Sequence, residues 1–325
     1  MKEINYLSHV LLVLAVIIVK AESIAYTISG FGSGGFMASQ MHVAFSANIS
    51  GAGIVAGGPF YCSLGSQARA QTACTTNGYL INIESSILYA QNLASEGLID
   101  PVSNLAKSKI FIFSGVQDYI VSPQVVQQTV LFYNSFTNAS NLFTDFYMNT
   151  AHTWPTQVEG NPCSYYGTPF IGACRYDTAG ILLQHVYGPI VVKGTFNNSN
   201  IFQFDQSEYA DIWQAGLSTR GWVYAPYTCR RNPILCRMHM FLHGCLQDYD
   251  SIGNVLVKES GFGEWAESNN ITIIFPQTIT TSNDFYACWD FVGFTGPNWA
   301  NQMGYQMAAL NSIAQNYTTI LQKLD

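Results

Sequence analysis

Three short stretches of this chain carry residue types that could perform acyl-transfer chemistry together. The first is SGFGSGGFMA, Ser29 to Ala38, a glycine-dense turn between an apolar run (Ile24 to Ser29) and a helix-like run, FMASQMHVAFS. Strand, turn and helix in this order are the setting of a nucleophile elbow, whose pattern is G-x-S-x-G. The outer glycines are needed because larger side chains would collide with the adjoining strand and helix. The helix start then directs backbone N–H groups at the reacting atoms. The second stretch is FSGVQDYIVSP, where Asp118 follows an apolar strand, at the end where a parallel sheet presents functional residues. The third is NTAHTWPT, where His152 follows another apolar strand and Pro155 stiffens the loop. Elbow, Asp, His is the chain order of α/β-hydrolases. In such a triad the histidine is the general base, the aspartate orients it and stabilises the imidazolium, and the serine attacks an acyl carbonyl.

Each stretch alone is ordinary. An Asp after a strand is most often a turn residue. His42, His185 and His239 fall within helical or strand runs and read as structural. The glycine-rich turn lacks the G-K-[ST] ending of a phosphate-binding loop and the spacing of a dinucleotide fingerprint. With Gly30 and Gly34 as the outer glycines, the nucleophile position is occupied by Gly32, and the turn's serine is Ser33, one residue late. A nucleophile at Ser33 would have Phe31 where the elbow needs a small residue, and its side chain should point away from the one at 32. Glycine reaches positive φ freely, whereas another residue held there costs about 1–3 kcal/mol. Gly32 therefore suits the turn while deleting the attacking oxygen, a loss worth many orders of magnitude in turnover.

A fourth stretch, FLHGC, ends the apolar run that starts at Arg237. A His-Gly at a strand end resembles the loop that donates one oxyanion-hole N–H. That loop ordinarily precedes the nucleophile; here it lies far downstream, which a circular permutation would explain.

The positioning elements read as an α/β alternation. Buried-strand runs begin at Ile24, Lys109, Phe143, Arg237 and Ile271. Helical runs are GGFMASQMHVAFS, SPQVVQQTVLFYNSF and GFGEWAESNN. This pattern predicts a mostly parallel central sheet with helices on both faces. Residues 22–325 read as a single domain, with an irregular insertion or lid around 161–226. Residues 1–21 read as a signal peptide: Lys2, an apolar run from His9 to Val19, and VKA before a cleavage after Ala21. The competing reading is an anchor, for which the run is short. Export implies a secreted protein with no lasting membrane insertion. It agrees with eight cysteines in near pairs, Cys62 and Cys74, Cys163 and Cys174, Cys229 and Cys236, with Cys245 and Cys288 left over. None has zinc-site spacing, so disulfides are expected, with connectivity open. Sequons at Asn48, Asn138, Asn197, Asn270 and Asn316 are candidate glycosylation sites. A composition of 48% apolar and 10% charged residues supports a sizeable core, and a net charge of −7 with no basic run argues against nucleic acid. No metal or organic cofactor is implied, and nothing specifies the oligomeric state.

Taken in order, SGFGSGGFMASQMHVAFS, GAGIVAGGPFYC, FSGVQDYIVSP, AHTWPT, CRMHMFLHGCLQ, GFGEWAESNNITIIFPQT, CWDFVGFTG and YQMAAL resemble the secreted, single-domain poly(3-hydroxybutyrate) depolymerases, over about Ile24 to Leu310. The resemblance implies a circularly permuted α/β-hydrolase, a Ser–Asp–His triad and hydrolysis of short-chain hydroxyalkanoate esters. Asp118 and His152 match its acid and base, and the N–H groups of Ser33 and Cys245 its oxyanion donors. Trp154, Trp289 and Trp299 are candidates for lining a polyester groove, Trp289 reading better as core. The family reads G-L-S-S-G-G at the elbow, with the first serine as nucleophile; this chain reads G-F-G-S-G-G. Three readings follow: an inactive member that binds a polyester, short-chain ester or other ligand; an active esterase using Ser33 or a water activated by His152; and a structural secreted glycoprotein.

Overall fold

The computed structural model describes residues 23–324, so the expected signal peptide lies outside the described residues. In chain order the strands are β1 Tyr26–Phe31, β2 Ile49–Val55, β3 Lys109–Phe113, β4 Leu142–Asp145, β5 Trp154–Thr156, β6 Asn161–Pro162, β7 Ile171–Ala173, β8 Ile201–Asp205, β9 Arg220–Tyr224, β10 Arg237–Leu242 and β11 Ile271–Phe275. Eight form the central sheet in the order β4-β3-β2-β1-β10-β11-β9-β8, and β5, β7 and β6 form a small second sheet. The six strands from β4 to β11 run parallel, with β9 and β8 added antiparallel at one edge. β1 and β11 are buried along their whole length, as near-continuous apolar runs require when both faces are covered.

Helices cover both faces. Successive strand residues point to opposite sides. Thr27 reaches Tyr187 of the helix Thr178–Tyr187, and its strand neighbour Tyr26 reaches Asn311 of the helix Tyr305–Gln315. Helix α1, Ser33–Ala44, packs on β1, β2 and β10 on the Asn311 side, where His42 bonds Tyr133 of the helix Pro123–Asn134. The segment 161–226 is not one irregular lid. Its helix Thr178–Tyr187 packs on β2 and β3, and β8 and β9 extend the central sheet. Its high Gly, Asn and Tyr content hides these elements. All eight cysteines are paired, Cys62–Cys74, Cys163–Cys174, Cys229–Cys236 and Cys245–Cys288. Among the described residues no helix is long and apolar enough to cross a membrane.

Two core histidines are fully buried. His239 bridges Thr27 and Ser29 at 2.7 Å each, and His42 bonds the Tyr133 hydroxyl at 3.0 Å. Burial pushes both imidazoles down to about 3. The unfolded chain takes up these protons near pH 6.5, so between there and pH 3 it binds more protons than the folded chain. Stability therefore rises with pH across this window and is lost as pH falls below about 6.5, by on the order of 1 kcal/mol per pH unit for each histidine. Urea midpoints at pH 7, 6 and 5 should fall progressively, and replacing His239 by Asn should reduce the slope.

Candidate active site

The turn after β1 is held by contacts that exclude side chains at two places. A Cβ at Gly30 would lie 2.1 Å from the Gly34 carbonyl oxygen, and one at Gly34 would lie 2.2 Å from the Leu242 oxygen. These outer glycines let α1 start directly against β1 and the end of β10. Between them Gly32 has φ 57° and ψ −123°, in the left-handed half of backbone space. A Cβ there would meet no backbone wall. It would lie 3.2 Å from His152 Nε2 and 3.7 Å from the Gly244 Cα. The Ser33 hydroxyl is turned elsewhere: its Oγ accepts the Trp289 N–H at 3.2 Å.

Asp118 and His152 come from loops after β3 and β4, stitched by Val116 N–H to the Met148 carbonyl and Gln117 N–H to the Thr150 carbonyl. Asp118 Oδ1 accepts the N–H groups of Ile120 and Val121 at 2.9 and 2.8 Å. Oδ2 stands 2.8 Å from His152 Nδ1. An ionised carboxylate only accepts, so the Nδ1 proton points at Asp118 and, in the neutral ring, Nε2 presents a lone pair to position 32. The imidazole packs against Phe31, centroids 4.5 Å apart, with the exposed Tyr166 at 6.2 Å. Desolvation, then the Asp118 charge, pushes the Tyr166 phenol up.

The third side is the loop after β10. The backbone N–H of Thr278 donates to His243 Nε2, leaving Nδ1–H to donate to the Gly244 carbonyl at 2.7 Å. Burial lowers the His243 pKa, in keeping with this neutral ring. That carbonyl shares its peptide plane with the Cys245 N–H, so His243 fixes the direction of both. Gly244 N–H donates to Gln247 Oε1, Leu246 N–H to the Tyr286 carbonyl, and Cys245 is bonded to Cys288. Among the described residues, neither the Ser33 nor the Cys245 N–H has a protein acceptor.

Gly32, Ser33, His152 and Cys245 share a cavity of about 340 Å³ whose walls include Phe31, Phe170, Tyr286 and Phe291. Asp118 reaches it only through His152. The structure corrects the tryptophan expectation. Trp154 is fully buried, donates to the Ser260 carbonyl and packs on Phe241 and Phe262. Trp299 is buried against Tyr61, and Trp289 lies in the core beside His243. Strand-borne and loop-borne indoles are large enough to be the core, so none lines the cavity. Sequence reasoning missed the actual walls, Phe170, Tyr286 and Phe291, and the anchoring role of His243. The HGC stretch held the signal for His243; the walls sit in irregular loops and carried none.

No family model matches the chain. It is 38% identical over 304 residues to a poly(3-hydroxybutyrate) depolymerase of Delftia acidovorans, covering 92% of this chain and 61% of that protein's length. It is 35% identical over 303 residues to a polyhydroxybutyrate depolymerase of Talaromyces funiculosus, covering 87% of this chain and 86% of that protein. The crystal structure of PHB depolymerase from Penicillium funiculosum superposes with a TM-score of 0.84 at 32% identity, over 91% of this chain and 96% of that one. A serine-to-alanine variant of PHB depolymerase complexed with an R3HB trimer matches with the same TM-score and identity, over 91% and 97%.

The elbow contacts set a testable order of tolerance. Gly30→Ala and Gly34→Ala, which drive a methyl into backbone, should each cost more than about 3 kcal/mol or prevent folding. Gly32→Ala meets only a side chain and a positive φ and should cost about 1–3 kcal/mol. Denaturant midpoints of the three variants give the comparison.

Proposed function

The chain belongs to the poly(3-hydroxybutyrate) depolymerase family, and from that premise we propose that it is a member that binds short-chain hydroxyalkanoate esters without appreciable hydrolysis. The observation that carries this reading is Gly32: its backbone stands where a β-carbon would face His152 Nε2 at 3.2 Å, and it bears no hydroxyl. In this assignment His152 is the general base, Asp118 its orienting partner, and the N–H groups of Ser33 and Cys245 the oxyanion donors. All four are arranged around an absent attacking oxygen. Ser33 is a poor substitute because its Oγ is engaged with the Trp289 N–H. The apolar cavity is suited to the alkyl backbone of a polyester. The relative in which a serine is replaced by alanine holds an R3HB trimer, which supports binding without a full set of serine hydroxyls.

The same reading makes the sheet a circular permutation of the α/β-hydrolase order. In its support, β1 lies mid-sheet, with β2, β3 and β4 on one side and the late strands β10 and β11 on the other. Four disulfides support export to an oxidising compartment.

Restoring the hydroxyl tests the assignment. Gly32→Ser should hydrolyse 4-nitrophenyl butyrate at least about a thousandfold faster than the wild type, and adding His152→Ala should remove the gain. Equal rates in wild type and Gly32→Ser would refute the non-hydrolysing reading. A folded but inert Gly32→Ser would refute the roles given to Asp118, His152 and Cys245.

A further inference from the structure

Loss of the side chain at 32 does more than remove a nucleophile; it changes which ligand the site fits. The point a side chain at 32 would occupy lies beside two backbone N–H donors and an imidazole nitrogen that donates once protonated. Ser33 N–H opens the twelve-residue helix α1, and the helix start favours negative charge. Cys245 N–H is aimed by the His243 contact to its peptide. His152 is 9% exposed, and its Nε2 is unpartnered and faces the gap. An ester offers one carbonyl oxygen to the two N–H groups and nothing suited to the gap beside Nε2. A carboxylate offers two oxygens. One can sit on the N–H pair, and the second can occupy the place of the missing serine oxygen. In a serine-bearing site that second oxygen would collide with the hydroxyl.

We propose that this site is a receptor for the free carboxylate end of a short-chain hydroxyalkanoate, in preference to the corresponding ester. The inference rests on the non-hydrolysing reading above. It also fixes the protonation chemistry. Nδ1–H is committed to Asp118 at 2.8 Å, so a carboxylate oxygen at Nε2 requires a second proton on the ring. Where the free ring is neutral, binding is therefore accompanied by uptake of a proton. The result is a row of alternating charge, with the Asp118 carboxylate, the imidazolium and the ligand carboxylate joined by charge-assisted hydrogen bonds. The titratable groups facing the imidazole are Asp118 and Tyr166; Phe31 and Gly32, which also adjoin it, are uncharged. The aromatic walls at Phe170 and Phe291 leave the ligand's alkyl part desolvated and strengthen the polar contacts at its end.

The test is calorimetric titration of the full chain with (R)-3-hydroxybutyrate and with its methyl ester at pH 8, above the ordinary imidazole range, in two buffers of different ionisation heat. The acid should bind at least about tenfold more tightly than the ester, the difference expected of one charge-assisted hydrogen bond. Its heat should report uptake of about one proton. Equal or tighter binding of the ester, or no proton uptake, would overturn the proposal. Gly32→Ala should weaken the acid at least about tenfold, the same difference in reverse, because its methyl fills the gap. Should that variant fail to fold, His152→Gln removes the protonatable nitrogen and should abolish both the acid preference and the proton uptake. A preference retained in either folded variant would overturn the proposal. Hydrolysis of 4-nitrophenyl butyrate by the wild type would refute only the non-hydrolysing reading. Equal binding of acid and ester without hydrolysis would refute only the carboxylate inference.

Discussion

Gly34 lies so close to the end of β10 that an added Cβ would stand 2.2 and 2.4 Å from the carbonyl oxygens of Leu242 and His243. This backbone contact brings the start of α1 against the loop that carries Cys245. It brings Ser33 and Cys245 to one cavity with position 32, while the loops after β3 and β4 deliver Asp118 and His152. The sheet order makes the meeting possible, because β1 stands between β2 and β10. Local steric exclusion thus sets the positions of groups far apart in the chain, and none of it depends on which side chain, if any, sits at 32.

That independence lets the turn carry glycine at 32 without disturbing its surroundings. A residue with a side chain at φ 57° carries backbone strain that glycine does not. Glycine at 32 leaves the turn relaxed beside the Asp118–His152 pair and the apolar cavity. The chemical consequence is asymmetric. In the proposed reading nucleophilic attack is lost, whereas hydrogen bonding and electrostatics remain, with one atom's worth of added space beside Nε2.

The elbow, Asp118, His152 and the HGC loop were legible in the sequence because each is a short motif at the end of an apolar strand, where chain order and residue type carry the signal. The mostly parallel sheet was legible for the same reason. β2 was not, because ISGAGIV breaks the apolar run with glycines; Gly53 is there to admit Leu182, whose Cδ1 would lie 2.3 Å from a Cβ. β8 and β9, the antiparallel pair that ends the sheet with β8 at its edge, have polar interruptions, and they were hidden within a Gly- and Asn-rich segment. The cavity walls are loop residues brought in by disulfides and long-range contacts, for which a single sequence has no periodicity to offer. Trp154 and Trp299 misled for a plain physical reason: an indole serves a core as well as a groove, and only the packing around it decides.

Whether any serine of the natural chain attacks is decided most directly by labelling with a fluorophosphonate and mapping the adduct by mass spectrometry. No serine of the wild type should be modified, and Gly32→Ser should be modified stoichiometrically at position 32. A stoichiometric adduct on Ser33 of the wild type would contradict the account.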